Sequence, residues 1–142
     1  MKINVRYLPK KLTKKDRRKQ KQMLMKSRRL YKKGIYYTRK RVKSFTSKKS
    51  RHIVNAEKMY NVDKIGATDE LAKATKCSKS ALAKIINKGM GAYFSSGSRP
   101  NQTAKSWGLA RLASAITHGK SAKVDKDILI KGCKPSSKAL KS

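Results

Sequence analysis

The chain has 142 residues, about the length of one domain. It carries 39 lysines and arginines against 7 acidic residues, which gives a formal net charge of +32. Its longest uncharged run, residues 89–98, is too short to cross a bilayer. No apolar run follows the first basic residues, so we expect no secretory signal. The composition therefore predicts a soluble protein whose partner is a polyanion.

The positive charge is concentrated in the first 53 residues. They hold 22 lysines and arginines and one acid, Asp16, whereas residues 54–142 hold 17 basic and six acidic residues. A segment with a net charge of +21 repels itself, and such a composition is typical of disorder in a free chain. We therefore predict a mainly α fold with three parts. These are a basic arm over residues 1–53, a small helical domain over 54–133 and a flexible tail over 134–142.

Within the basic arm the sequence predicts a short strand followed by one long helix. Apolar and polar side chains alternate over residues 3–7. Thr13 fits a helix N-cap with Asp16 in the first turn, and Gly34 fits the C-cap, so we expect a helix over residues 14–33. The first half of this helix has nothing to bury, which favours contact with phosphate or with acidic protein.

The segment after this helix, residues 35–45, mixes aromatic and basic side chains. Tyr36, Tyr37 and Phe45 are suited to stack on nucleic-acid bases or to dock the arm on a neighbouring subunit. Docking is favoured, because short basic motifs often occur by chance. The candidate polyanion-binding residues are Lys14, Lys15, Arg17, Arg18, Lys19, Lys21, Arg28, Arg29, Arg39, Arg41, Lys48, Lys49, Arg51 and Arg99.

Beyond residue 53 the spacing of apolar residues becomes helical. Ile53, Ala56 and Tyr60 share one face of a first helix, and Thr68 fits the N-cap of a second. We expect the last helix to cover residues 104–117. It contains the sole tryptophan and several small residues, so we place the centre of the core there.

Residues 71–87 resemble the helix-turn-helix of bacterial repressors. The turn falls at Lys76, where a glycine is usual, and Ser78 begins the second helix. Any two short packed helices share this pattern, so we interpret the motif as architectural. In a DNA-reading role, the second helix would present Lys79, Ser80 and Lys84.

The glycines of residues 89–97 predict a break after this second helix. Glycines and hydroxyl groups beside Arg99 are suited to cradle a phosphate, but they match neither the P-loop nor the dinucleotide fingerprint. We therefore favour a structural loop that packs its aromatic residues.

Catalytic and metal-binding constellations are hard to find in this sequence. Cys77 and Cys133 are too few and too isolated for a disulfide framework or a zinc site. Asp125 and Asp127 have an ordinary explanation as part of a surface turn. We therefore expect no enzyme activity, no cofactor and no metal.

Three stretches of the sequence together resemble a known family. They are residues 31–37 with 43–45, residues 88–103 and residues 106–115. On these stretches the chain resembles small basic proteins encoded by nucleocytoplasmic large DNA viruses, a family without an assigned activity. The similarity spans nearly the whole chain, and residues 88–103 are the most distinctive part. It implies a virion-associated protein and carries over no catalytic residues.

Charge and resemblance together predict a non-enzymatic structural protein of a large double-stranded DNA virus particle, a minor capsid protein. Its basic arm is expected to bind acidic surfaces of capsid proteins or packaged DNA without sequence preference, and no small-molecule substrate is expected. Such a protein is made in the host cytoplasm, resides in the virion and has a nuclear-import-like stretch near Lys48. Two alternatives stay open. One is a DNA-binding or DNA-compacting protein with a helix-turn-helix-like element, and the other is a ribosomal-type RNA-binding protein.

Overall fold

The computed structural model describes residues 3–140, and these residues are mainly α-helical, as predicted. Short 3-10 turns lie at Val5–Tyr7 and Lys138–Leu140. Within the described part of the chain there is no strand, and no helix is long and apolar enough to cross a membrane. The helices in chain order are α1 (Lys14–Tyr31), α2 (Arg51–Tyr60), α3 (Asp69–Thr75), α4 (Lys79–Ser95), α5 (Ala104–Ile116), α6 (Lys120–Val124) and α7 (Lys126–Gly132).

Local capping signals place most of the helix ends. The Thr13 hydroxyl accepts the N–H of Asp16 at 3.2 Å, and Thr68 caps α3 in the same way. Gly34 has φ +78° after the end of α1, a conformation that glycine adopts without strain. The predicted N-caps at Thr13 and Thr68 are confirmed, whereas α1 ends at Tyr31 with Lys32 as its C-cap, two residues before its predicted end. The predicted strand at residues 3–7 is wrong, because the Asn4 side chain accepts the N–H of Arg6 and starts a 3-10 turn instead.

The predicted helix break at the glycines is also wrong, because α4 continues through Gly89 and Gly91 to Ser95. Gly89 is buried, and a Cβ atom there would lie 2.6 Å from the Cα atom of Gly108 in α5. Gly89 therefore permits two helix backbones to approach each other closely, whereas Gly91 has open space around it. Gly97, with φ +136°, lies in the loop that follows α4.

The chain divides into two compact units. Unit 1 comprises residues 3–48 together with Met90–Trp107, and unit 2 comprises Lys49–Gly89 together with residues 108–140. This division differs from the expected separation of a basic arm at residue 53. The N-terminal segment packs against a later part of the chain, which supplies apolar and hydrogen-bonding partners that the segment lacks by itself.

Unit 1 has its own small core. Leu12, Met23 and Val42 form a buried cluster, with Tyr37 and Phe45 packed against it. Leu24 and Tyr93 are fully buried in the same unit. Trp107, which we expected at the centre of the core, is only half-buried; its ring centroid lies 6.2 Å from that of Tyr7.

Unit 2 holds the larger set of buried aliphatic side chains: Leu71, Leu82, Ile85, Leu112, Ile116 and Leu129. The Tyr60 hydroxyl donates to the carbonyl of Ile116 at 2.6 Å, and burial raises the pKa of Tyr60 to about 12. The tail that we expected to be flexible includes the buried Ser137 and Ala139, so it packs at least as far as Leu140.

A disulfide joins Cys77 and Cys133 within unit 2, contrary to the expectation that the two cysteines are isolated. The bond connects the turn between α3 and α4 to the end of α7. The N–H of Ser78 donates to the carbonyl of Gly132, and that of Lys134 to the carbonyl of Lys76, so hydrogen bonds hold the same two segments together. The spacing of 56 residues hides this contact in the sequence.

The two glycines of α4 give a matched pair of stability predictions. Gly91→Ala should stabilise the protein by about 0.5–1 kcal/mol, because alanine restricts the unfolded chain and its methyl group meets nothing. Gly89→Ala should destabilise it despite the same gain in helix propensity, because its methyl group meets the α5 backbone. Urea denaturation checks both, and equal effects at the two positions would contradict the close helix approach.

The disulfide should contribute measurably to stability. In the chain-entropy model, a cross-link across this spacing constrains the unfolded state by about 4 kcal/mol. Replacing both Cys77 and Cys133 by serine should therefore lower the melting temperature, and dithiothreitol should lower that of the native protein similarly. The serine variant should not respond to dithiothreitol. A native protein that is equally insensitive would show that the bond does not form.

Candidate polyanion-binding surface

Helix α1 has one buried face and one face that is open to solvent. Its buried residues are Gln20, Met23, Leu24 and Ser27. The exposed face carries basic side chains interrupted only by Gln22 and Met25, and we call it the basic face. It consists of Lys14, Lys15, Arg18, Lys19, Lys21, Lys26 and Arg29.

The basic face presents a dense row of positive charge. An α-helix of 18 residues is about 27 Å long, so the face carries roughly one cation per 4 Å of helix. Phosphates along one strand of duplex DNA are spaced at about 3.4 Å along the axis. The two charge densities are therefore similar. Each phosphate that a cation neutralises releases condensed counterions, and this release favours binding.

Only one acidic side chain of the unit lies near this row. Asp16 is the one acid in the sequence of unit 1, and its carboxylate accepts the N–H of Ser44 at 2.8 Å. Hydrogen bonds from Ser44 lower the pKa of Asp16, so the carboxylate stays ionised and directed at the backbone of residue 44. It acts mainly as a structural link, although the charges of Lys15 and Lys19 also contribute to lowering its pKa.

The other candidate residues are distributed more widely. Three of them are engaged within unit 1: Arg17, Arg28 and Arg39. Exposed elsewhere in unit 1 are Arg41, Lys48 and Arg99. Unit 2 contains Lys49, which forms an ion pair with Glu57 at 2.7 Å, and the exposed Arg51. The structure thus brings together the six candidates on the basic face, to which Lys26 is an addition.

Arg39 does not lie on a surface at all. Its guanidinium donates to Ser27 Oγ and to the Tyr93 carbonyl, both at 2.9 Å, and to Ser98 Oγ at 2.8 Å. The same group lies 3.8 Å from the centroid of the Tyr93 ring. The Arg39 backbone N–H donates to the Tyr93 hydroxyl at 3.0 Å. We therefore remove Arg39 from the candidate binding residues, because it is 7% exposed and its donors are used inside the unit.

The aromatic residues of the predicted stacking segment also separate in the structure. Tyr37 and Phe45 pack on the core of unit 1, and the Lys26 ammonium lies 4.6 Å from the Tyr37 ring. Tyr36 stays on the surface beside Tyr31 and Phe94. Neither Tyr31 nor the half-buried Phe94 was expected beside Tyr36, because residue 94 is distant from both tyrosines in sequence and only the folded structure brings the three rings together.

The predicted turn of the helix-turn-helix is present in unit 2. Lys76 adopts a left-handed conformation with φ 59°, where repressor turns usually have glycine, and Ser78 Oγ accepts the N–H of Ala81 at 3.1 Å. Exposed on the second helix are Lys79, Ser80 and Lys84.

Helix α7 lies beside the N-terminal end of α4, where a repressor would contact DNA bases. The two helices line a shared cleft with Ser80, Lys84, Asp127 and Lys131. In a repressor, this end of the recognition helix enters the major groove of DNA. In this protein α7 lies beside that end of α4 and would obstruct its access to the groove. The arrangement supports the architectural interpretation of the motif.

Asp125, considered above with Asp127 as an acidic pair, belongs to a buried ion pair instead. Its carboxylate accepts hydrogen bonds from Nε and Nη2 of Arg111 at 2.9 and 2.8 Å, and Lys88 Nζ lies 3.8 Å away. The hydrogen bonds to Asp125 raise the pKa of Arg111. Across residues 3–140 we find no group of three His, Cys, Asp or Glu side chains placed to hold a metal ion.

Replacing Arg39 tests whether its role is structural. Arg39→Lys keeps the charge, but one ammonium group cannot reach all three acceptors of the guanidinium. The variant should lower the free energy of unfolding by about 1–3 kcal/mol, because a buried acceptor loses its partner. Arg41→Lys is the matched control at an exposed position and should change stability by less than about 0.5 kcal/mol. Equal effects of the two substitutions in urea denaturation would contradict the structural role.

Comparison with known proteins adds a family but no activity. Among curated proteins and among solved structures, none matches this chain significantly. Residues 5–130 match the profile described as "Family of unknown function (DUF5824)". This range contains the whole of α1 and most of both units. The chain therefore belongs to this family of unknown function.

Proposed function

We propose that the protein is a non-enzymatic structural protein of a large double-stranded DNA virus particle, and that its basic face binds a polyanion. The observation that carries the proposal is the exposed face of α1, which contains cations and no acid. We favour packaged DNA as the polyanion over acidic capsid surfaces. The spacing of the cations resembles that of phosphates along a strand, and a regular polymer can occupy the whole face.

The distribution of charge between the two units supports this proposal. Unit 1, over residues 3–48 and 90–107, contains 21 lysines and arginines and one acid, whereas unit 2, over residues 49–89 and 108–140, contains 16 and six. Unit 1 is thus folded around a net charge of +20, which costs free energy through self-repulsion. An anionic partner would offset this repulsion, and this is why the charge of unit 1 supports the proposal.

The assignment to a virus particle is supported by the resemblance of residues 31–37 with 43–45, 88–103 and 106–115 to proteins of nucleocytoplasmic large DNA viruses. The disulfide between Cys77 and Cys133 agrees with it. Such bonds are rare in the reducing cytosol, but they persist on virions and in other oxidising surroundings.

Neutralising part of the basic face should weaken DNA binding in a salt-dependent way. The test variant replaces Lys14, Arg18 and Lys21, which follow one another at helical spacing, by glutamine. The slope of log affinity against log salt should become shallower by about 1 per cation that contacts a phosphate. The measurement is the affinity for random-sequence duplex DNA, determined by fluorescence anisotropy at several salt concentrations.

The control loses the same charge at exposed lysines of α6 and α7, through Lys120, Lys123 and Lys126→Gln. Its salt slope should equal that of the native protein, and a decrease as large as in the test variant would show that only total charge matters. Polyglutamate that competes as well as DNA at equal charge would transfer the proposal to capsid carboxylates. A footprint on one defined sequence that Lys84→Ala abolishes would favour the helix-turn-helix regulator instead.

A further inference from the structure

Three aromatic rings form a row on the surface of unit 1. Tyr36 is in the middle, and its ring centroid lies 6.0 Å from that of Tyr31 and 5.1 Å from that of Phe94. Tyr36 is 69% exposed, and the neighbouring Ile35 is 49% exposed. We call these four residues the aromatic platform. A tyrosine with so much exposed surface contributes little apolar burial to the fold. Its π-face is open to a ligand.

The platform rests on a part of unit 1 that buried hydrogen bonds and ring contacts hold in place. The Phe94 carbonyl accepts a hydrogen bond from Ser27 Oγ at 3.0 Å, and the Phe94 ring packs edge-on against Tyr93 at 5.0 Å. Ser27 and Tyr93 are in turn bound by the Arg39 guanidinium. The base of the platform is therefore fixed before a ligand arrives, so little ordering entropy is lost on binding.

The charges around the platform are positive. Lys32 and Lys33 directly follow Tyr31 and are exposed, and the single acid of the unit is turned to Ser44. An apolar protein partner gains nothing from these cations, whereas a ligand with both flat rings and negative charge uses both features. Unpaired nucleotides have this combination, because each base has a π-face and each linkage carries a phosphate.

We propose that the aromatic platform binds unpaired bases of a single-stranded nucleic acid, with Tyr36 as the stacking residue and Lys32 and Lys33 as phosphate contacts. This inference rests on the proposed polyanion function and extends it to a second, different ligand form. Bases in a duplex are stacked on one another and offer no free face, so the platform discriminates single strands from duplexes. Tyr31, near the end of α1, points away from the basic face by helical spacing, which lets the two surfaces be tested separately.

The test measures the affinity of the full chain for oligo(dT) and oligo(rU) of about 15 nucleotides and for a duplex of equal length. Tyr36→Ala should weaken single-strand binding by roughly 5- to 150-fold, the range that the loss of one stacked base corresponds to. Duplex affinity should not change. Tyr36→Phe should restore single-strand binding, since it keeps the ring and loses only the hydroxyl. The ratio of the two oligonucleotide affinities tells whether DNA or RNA strands are preferred.

Ile130→Ala, which shortens an exposed apolar side chain in unit 2, is the control and should bind single strands as the native protein does. Equal weakening of single-strand and duplex binding by Tyr36→Ala would overturn the platform, as would no weakening of either. Self-association that disappears in Tyr36→Ala, with nucleic-acid binding intact, would assign the platform to a second copy of the chain. Failure of the basic face appears separately, as duplex binding that does not respond to Lys14, Arg18 and Lys21→Gln.

Discussion

The buried guanidinium of Arg39 is the interaction on which unit 1 depends. It connects α1 through Ser27, the end of α4 through Tyr93, and the following loop through Ser98. Ser27 and Arg39 are distant in sequence from residues 93–98, and no strand among the described residues joins these segments by a ladder of backbone hydrogen bonds. One planar group with several fixed donors replaces such a ladder.

A buried cation is an unusual centre for a unit that already carries a net charge of +20. Burial lowers the pKa of Arg39, and none of its hydrogen-bond acceptors is a carboxylate. The charge is stabilised instead by hydrogen bonds to three neutral oxygens and by the face of the Tyr93 ring. With no acid used in the core, the surface row of cations also keeps its full charge. The scarcity of acids in unit 1 therefore accounts for two features: Arg39 has only neutral hydrogen-bond acceptors, and the basic face carries no acid.

The sequence predicts those features that depend on neighbours along the chain. Thr13, Thr68 and Gly34 mark helix ends because capping is a contact over three to five residues. The basic residues of α1 are predictable as a set, and helical spacing separates an exposed from a buried face.

Contacts between distant segments escape such reasoning. In the sequence Gly89 resembles a helix breaker, but in the structure it lies within α4 and lets the backbone of α5 come close. Likewise Cys77 resembles a lone thiol in the sequence, but the end of α7 places Cys133 beside it. Arg39 belongs to a run of basic residues that a sequence motif treats alike, and only tertiary contacts distinguish it from Arg41. The same holds for Tyr36 and Tyr37, since adjacent positions in an extended segment face opposite ways, one towards the platform and one towards the core.

Folding and ligand binding are coupled in such a unit through charge. Bringing the cations of residues 3–48 together raises their mutual repulsion, and the small core with its Arg39 centre must offset that cost. A polyanion on the basic face neutralises part of the same charge, so it stabilises the folded unit by more than its direct contacts with individual side chains. Any ligand that binds the folded state alone shifts the folding equilibrium in this direction. The high charge of unit 1 thus implies that the proposed polyanion would raise the stability of the unit as well as bind to it.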